Sequence, residues 1–347
     1  MDEVLVADDV RKEYDDTVAV DGVSLSVGTG EVFGLIGPNG AGKTTLVRAL
    51  TGTTRAEGTI RVFGGDPEDA DEQRVSLLPQ SFSPPARLTA RELVAYYGGL
   101  YDDSRDPDAV LADVGLSDAA DTWYENLSGG QQRRVCVGVS LVNDPDVLFL
   151  DEPTTGIDPA GRRSLWSLIE GLAAGGTTVF LTSHSMAEVE RLSDRVGLLA
   201  DGKLVAVGTP DSLVAEYGGE SRLVVRPERS PESAAEALSD ASRGFDLIVD
   251  GDELLFRNVA PTDIGPAVDA LESAGIEYDA LTWKQPDLED VYLHLTGDEF
   301  GVSERPTTTA VADAADGAND ADDTDTDTDT DTDTLGAGAP AGSGGDR

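Results

Sequence analysis

Gly37-Pro38-Asn39-Gly40-Ala41-Gly42-Lys43-Thr44 fits the pattern G-x-x-x-x-G-K-[ST]. It follows the apolar run Glu31-Val32-Phe33-Gly34-Leu35-Ile36 and precedes a helical pattern that begins near Thr44. Glycines let successive backbone N–H groups turn inward into an anion cradle, and the following helix adds the positive end of its dipole. A lysine at this position reaches the β and γ phosphates, and the Thr44 hydroxyl is placed to ligate Mg²⁺. An idle glycine-rich turn is the plain alternative, and the strand and helix on either side argue against it. The stretch indicates a protein that binds a nucleoside triphosphate without saying which kind.

Working outward, short β-rich runs alternate with helical patterns over residues 1–219, as in Val147 to Leu150 and Thr177-Thr178-Val179-Phe180-Leu181. Continuous apolar strands belong in a sheet covered on both faces, so an α/β domain with a largely parallel centre is expected. Val4 to Val10, Val20 to Val27 and Thr59 to Phe63 instead alternate apolar with polar residues, which suits an antiparallel sheet laid beside the first. Val147-Leu148-Phe149-Leu150-Asp151-Glu152 reads as a buried strand ending in two acids at the carboxyl edge of the sheet, where open α/β folds bind ligands. There Asp151 would hold Mg²⁺, mainly through water, and Glu152 would orient and deprotonate an attacking water. The alternative is a strand ending in a turn with two solvated acids.

These residues, with Leu127-Ser128-Gly129-Gly130-Gln131, Asp151-Glu152-Pro153-Thr154, Gly156-Ile157-Asp158-Pro159 and Thr182-Ser183-His184, resemble the nucleotide-binding subunits of ATP-binding cassette (ABC) transporters. The likeness covers residues 1–219 in the expected order, and the LSGGQ element does not accompany phosphate loops in kinases or G proteins. It implies a P-loop NTPase cassette made of a parallel core sheet, an antiparallel β subdomain and a helical subdomain. It implies ATP and Mg²⁺ as ligands. Gly37, Pro38, Asn39, Gly40, Ala41, Gly42, Lys43, Thr44 and Thr45 would bind the phosphates and Tyr14 would stack on adenine. Thr44, Gln80 and Asp151 would hold the metal, and Glu152, His184, Gln80 and Lys43 would carry catalysis. It further implies that two cassettes pair head to tail, so that Ser128, Gly129, Gly130 and Gln131 of one close over the nucleotide of the other, with Asp158 communicating between the sites. A complete site then needs a second copy, and a membrane permease on a separate chain is the other partner. Slight departures, Ile157 where Leu is commoner and Ser183 where Thr is often found, leave hydrolysis untouched.

From Arg222 a second pattern begins, with strands Leu223-Val224-Val225, Phe245 to Val249, Glu253 to Phe256 and Ile276 to Leu281 and helices Pro231 to Leu238 and Pro261 to Ala274. Asp250-Gly251 between two apolar runs is a hairpin signal. This reads as a small α+β accessory domain over 220–300, and with Pro286-Asp287-Leu288-Glu289-Asp290-Val291-Tyr292 it resembles the C-terminal extension of cassettes serving ABC-2 type drug and antibiotic exporters. Export is therefore the expected direction.

The whole chain has 347 residues and a formal net charge of −42, with 67 Asp plus Glu against 25 Lys plus Arg. Its four lysines, Lys12, Lys43, Lys203 and Lys284, offer no basic face for duplex nucleic acid. Residues 301–347 carry twelve acidic and two basic residues and six consecutive Asp-Thr pairs from Asp323 to Thr334, so a disordered acidic tail is expected there. The remaining residues are acidic as well, a surface like that of proteins from salt-loving organisms. One cysteine, Cys136, excludes an internal disulfide and reads as a small buried apolar residue. No apolar run reaches membrane-spanning length and the first residues lack a signal-peptide pattern, so a cytoplasmic protein, peripheral at the inner membrane face, is expected.

Two other readings stay in view. A soluble ABC-type ATPase acting on ribosomes or DNA would carry two cassettes or a long coiled coil before the signature. Residues 45–126 leave no room for that coil, and the chain has no second phosphate loop. A non-hydrolysing ATP-gated scaffold would lack Glu152 or His184, and both are present.

Overall fold

The computed structural model describes residues 2–238 and 245–297; the expected acidic tail lies outside the described residues. In chain order the elements are β1 Glu3–Tyr14, β2 Thr17–Gly28, β3 Val32–Ile36, α1 Lys43–Leu50, β4 Glu57–Val62, β5 Val75–Leu78, α2 Ala90–Gly98, α3 Pro107–Asp113, α4 Gly129–Val139 and β6 Val147–Asp151. They continue with α5 Pro159–Ala174, β7 Thr178–Ser183, α6 Met186–Leu192, β8 Arg195–Ala200, β9 Lys203–Gly208 and α7 Pro210–Tyr217. The last are β10 Arg222–Pro227, α8 Pro231–Leu238, β11 Asp246–Asp250, β12 Glu253–Arg257, α9 Ile264–Ser273, β13 Tyr278–Lys284 and α10 Leu288–Thr296.

A six-stranded sheet runs in the order β5-β6-β7-β3-β8-β9, parallel throughout except for β9. Every residue of β3, β6 and β7 is buried, as the unbroken apolar runs require of strands covered on both sides. Alternate residues serve opposite faces: Val147, Phe149 and Phe180 join one core, while Leu148, Leu150, Val179 and Leu181 join the other. The first core also takes Leu46, Val47 and Leu50 of α1 and the apolar face of a three-stranded antiparallel sheet in the order β2-β1-β4. That sheet has the expected alternation at Val23, Leu25 and Val27 of β2, and Val20 joins the same buried side across a shift in the β1–β2 register. The second core gathers α2, α3, α4 and α5 through Leu93, Val110, Val135, Leu165 and Ile169. Cys136 lies in it, 2% exposed, as expected.

The parallel register aligns the strand ends. Asp151 pairs with Thr182, Ile36 with Ser183 and Leu78 with Leu150. The segments that follow β3, β5, β6 and β7 therefore leave the sheet at one edge, bringing the glycine loop, Gln80, Glu152 and His184 together from separate parts of the chain.

Beyond α7 a second sheet, β11-β12-β10-β13, is antiparallel throughout. Leu223, Val225, Leu254 and Phe256 pack with Ala234 and Leu238 of α8 and Ala267 and Leu271 of α9 into a core of their own. The hairpin turns at Gly251-Asp252, one residue later than the Asp-Gly step suggests, because Asp250 still pairs with Glu253. The helix expected from Pro261 opens with a short 3-10 turn and becomes α-helical at Ile264. α10 returns to the first sheet: Leu288, Val291 and Tyr292 share a core with Met186 and Val189 of α6 and Leu213 of α7.

Candidate functional site

The glycine loop is shaped by close backbone approach. Gly42 has φ 104°, and a Cβ built on it would lie 2.2 Å from the Ala19 carbonyl oxygen, so both the dihedral and the space demand glycine. Lys43 opens α1 with its side chain 5% exposed, and its Nζ donates to the carbonyls of Gly37 at 2.7 Å and Pro38 at 3.1 Å. The same Nζ is 3.5 Å from Glu152 Oε1. Burial lowers the Lys43 pKa from its ordinary value, and the Glu152 charge opposes that shift.

The end of β6 supplies the acids. Thr44 Oγ1 donates to Asp151 Oδ2 at 2.9 Å, and Thr182 Oγ1 donates to Asp151 Oδ1 at 2.5 Å. Glu152, 6% exposed, takes the left-handed region at φ 49°, a rare backbone state for a non-glycine residue. Its N–H is held by the Thr182 carbonyl at 3.2 Å and the Thr182 hydroxyl at 3.0 Å. Its carboxylate accepts from Gln80 Nε2 at 3.1 Å and Thr155 Oγ1 at 3.3 Å, and His184 Nδ1 lies 3.4 Å away. Lys43, Thr44, Gln80, Asp151, Glu152 and His184 thus form one cluster built from four separate segments.

The other candidates lie outside that contact network. Ser128 caps α4, its hydroxyl accepting from Gln131 N–H at 3.3 Å while the Gln131 side chain accepts from Ser128 N–H at 2.9 Å. The described hydrogen bonds of Ser128 run to Gln131 and Gln132 and not to the glycine loop. Gly129 and Gly130 instead face the segment at Gly156 and Asp158. Asp158 caps α5 by accepting from the N–H groups of Ala160 at 2.9 Å and Gly161 at 3.1 Å, and those bonds hold its carboxyl below the usual range. Tyr14, at the end of β1 and 41% exposed, has Lys12 Nζ 4.9 Å from its ring centroid.

Three supporting residues had no role assigned from the sequence. Thr182 bridges Asp151 and Glu152. Glu188 is fully buried, accepting from Trp166 Nε1 at 2.8 Å, Thr154 Oγ1 at 3.0 Å and Ser183 Oγ at 2.6 Å, and so ties the two segments beside Glu152 and His184 to α6. Arg133 donates to backbone carbonyls on both sides of the β6 terminus. An acid on the apolar face of α6, beside Met186, Val189 and Leu192, is a sequence signal that could have marked Glu188.

The arrangement fits a nucleoside triphosphate with a divalent cation. It offers a glycine loop whose backbone leaves no room for a Cβ at Gly42, a buried ammonium, and a hydroxyl beside a carboxylate. Among the described residues no group of three or more His, Cys, Asp or Glu could hold a metal ion alone, so a cation at Thr44 and Asp151 would complete its shell with phosphate oxygens and water.

Comparison with known proteins agrees. The profile of the family described as ABC transporter matches residues 20–155. A daunorubicin resistance ATP-binding protein of Streptomyces coeruleorubidus is 39% identical over 317 residues, covering 87% of this chain and 99% of the relative. The chain belongs to the ABC transporter family. It is an ATP-binding subunit of that family and an ATPase. A Nod factor export ATP-binding protein of Rhizobium meliloti is 36% identical over 300 residues, covering 84% of this chain and 87% of the relative. A nucleotide-free ATP-binding cassette from an ABC transporter shares the fold at TM-score 0.54 and 25% identity, covering 60% of this chain and 92% of that one. Among the described residues no helix of this ABC subunit is long and apolar enough to cross a membrane.

Proposed function

We propose that the chain is the Mg²⁺-dependent ATPase subunit of an exporter for drug-like or antibiotic molecules, working with a permease on a separate chain. The convergence of Lys43, Gln80, Thr155 and His184 on the Glu152 carboxylate carries this reading, and the relatives named for daunorubicin resistance and Nod factor export support the direction. The glycine loop and Lys43 would hold the phosphates, Tyr14 the base, and Thr44, Asp151 and Gln80 the Mg²⁺. The metal, when bound, supplies positive charge to the phosphate oxygens. Glu152, fixed by its neighbours, orients the water and takes its proton; His184 reaches the terminal phosphate.

Two copies pair head to tail, so that the Ser128 turn of each completes the other's site. Residues 1–219 form the cassette and 220–300 an accessory domain, with the assembly at the cytoplasmic face of the membrane. Pro79 lines a cavity of about 520 Å³ together with Phe82, Tyr97 and Tyr101. A permease segment seated there would lie one residue from Gln80.

Glu152→Gln tests the assignment: turnover falls by about 100-fold or more while ATP binding persists and the copies pair in ATP. Turnover at the wild-type rate would show that another group is the base.

A further inference from the structure

We propose that Arg133 is a positioning residue for ATP hydrolysis, fixing the backbone that carries Glu152 and Gln80 from the helix that carries Ser128. The inference rests on the reading of Glu152 as base and of the Ser128 turn as the lid on a second copy's nucleotide.

The guanidinium has five N–H groups in a planar fork, and it meets five backbone carbonyls. Nε donates to Pro153 at 3.0 Å, Nη2 to Asp151 and Glu152 at 3.0 Å each, and Nη1 to Pro79 and Gln80 at 3.3 Å each. Four of these carbonyls lie beyond the last residues of β5 and β6, where the sheet ladder no longer supplies donors. None of the described ion pairs takes the Arg133 charge. Its role is therefore to gather two loops, the one holding Gln80 and the one holding Glu152.

Glu152 makes the consequence chemical. Its left-handed backbone persists only where the surroundings over-determine it. Thr182 holds the N–H of that residue and Arg133 its carbonyl, so the peptide groups on both sides of the strained Cα are pinned. Arg133 lies five residues after Ser128 on the same helix, an axial rise of about 7.5 Å. A helix transmits displacement as a rigid body, so when the Ser128 turn is drawn onto a second copy's nucleotide, the fork carries that movement to the base and the glutamine of its own site. Each base is then aligned by the ATP bound to the opposite loop.

The test compares Arg133→Gln and Arg133→Lys in the full-length chain by steady-state ATPase across ATP concentration, equilibrium binding of a fluorescent ATP analogue, and thermal melting, with Glu152→Gln as reference. Arg133→Gln is expected to lose about 100-fold in kcat, the cost of a misplacement near 1 Å. KM and analogue affinity are expected to stay within about twofold of wild type. Arg133→Lys, which keeps the charge and some of the donors, recovers part of the kcat loss. Wild-type kcat in both variants, or a loss shared equally by kcat, affinity and melting temperature, overturns the proposal. If Arg133→Gln does not fold, the same split in Arg133→Lys decides it. Should Glu152→Gln itself turn over normally, the reading of the site falls and this inference with it; a dead Glu152→Gln beside fully active Arg133 variants defeats the inference alone.

Discussion

Thr182 shows how much a single hydroxyl carries here. It donates to Asp151 Oδ1 and accepts the Glu152 N–H, so Thr182→Val keeps the shape, leaves a buried carboxylate oxygen without that donor and leaves the Glu152 N–H with the Thr182 carbonyl alone. The expected cost is about 1–3 kcal/mol of stability, read by urea unfolding, with a fall in kcat because both acids lose their anchor. An unchanged unfolding midpoint would mean that water replaces the hydroxyl. Gly42→Ala is harsher. The added Cβ meets a backbone oxygen that no rotamer can move, so the loop must open, and binding of an ATP analogue is expected to weaken by at least about tenfold. The site was legible at this scale because phosphate chemistry imposes a dense local spacing on residues 37–44 and the acid pair marks a strand end. Arg133 and Glu188 stayed hidden because their partners, five carbonyls for one and three side-chain donors for the other, are assembled only by the fold.

α6 is the element through which the site's edge meets α10, starting two residues after His184 and receiving α10 along Met186 and Val189. Glu190 on α6 accepts the Leu288 N–H at 2.8 Å near the start of α10. Burial raises the Glu190 pKa, the charges of Asp287 and Glu289 push the same way, and the Leu288 bond opposes them. A carboxyl whose folded pKa is raised costs stability when ionised, so its contribution is favourable at low pH and is lost as pH rises from the unfolded value near 4.5 through the folded one. Glu190→Gln keeps an acceptor for Leu288 without the charge. Its melting temperature should exceed wild type at pH 7, with the gap narrowing as pH falls toward 4.5. A gap independent of pH would remove ionisation as the cause. α10 had no reading as a helix in the sequence, although Asp287 caps it and Leu288, Val291 and Tyr292 share its buried face. Its docking on α6 was hidden as well, because an apolar face announces burial without naming the surface that covers it. The alternating strands β1, β2 and β4 and the unbroken β3, β6 and β7 were legible for the opposite reason: sheet periodicity records directly whether one face or both are covered.

Across the whole molecule a formal charge of −42 opposes any compact form, and the described arginine and lysine side chains are largely spent in local pairs such as Arg55–Glu68 and Arg222–Asp290. The screening length falls from about 30 Å at 0.01 M salt to about 3 Å at 1 M. The melting temperature should therefore climb as KCl is raised over that range, and a flat response would show that self-repulsion is already balanced. A second expectation concerns length. A protein cut after residue 219 loses the partners of Met186, Val189 and Leu213 and should melt lower than the full chain and bind a hydrophobic dye, whereas identical melting would show that α10 adds nothing. The shortest piece able to keep His184 at its post is accordingly not the part that bears the recognisable motifs. α10 is a stitch that ties the second sheet's stretch of chain back beside the working edge, and anyone trimming the protein for crystals should cut beyond α10 rather than before the second sheet.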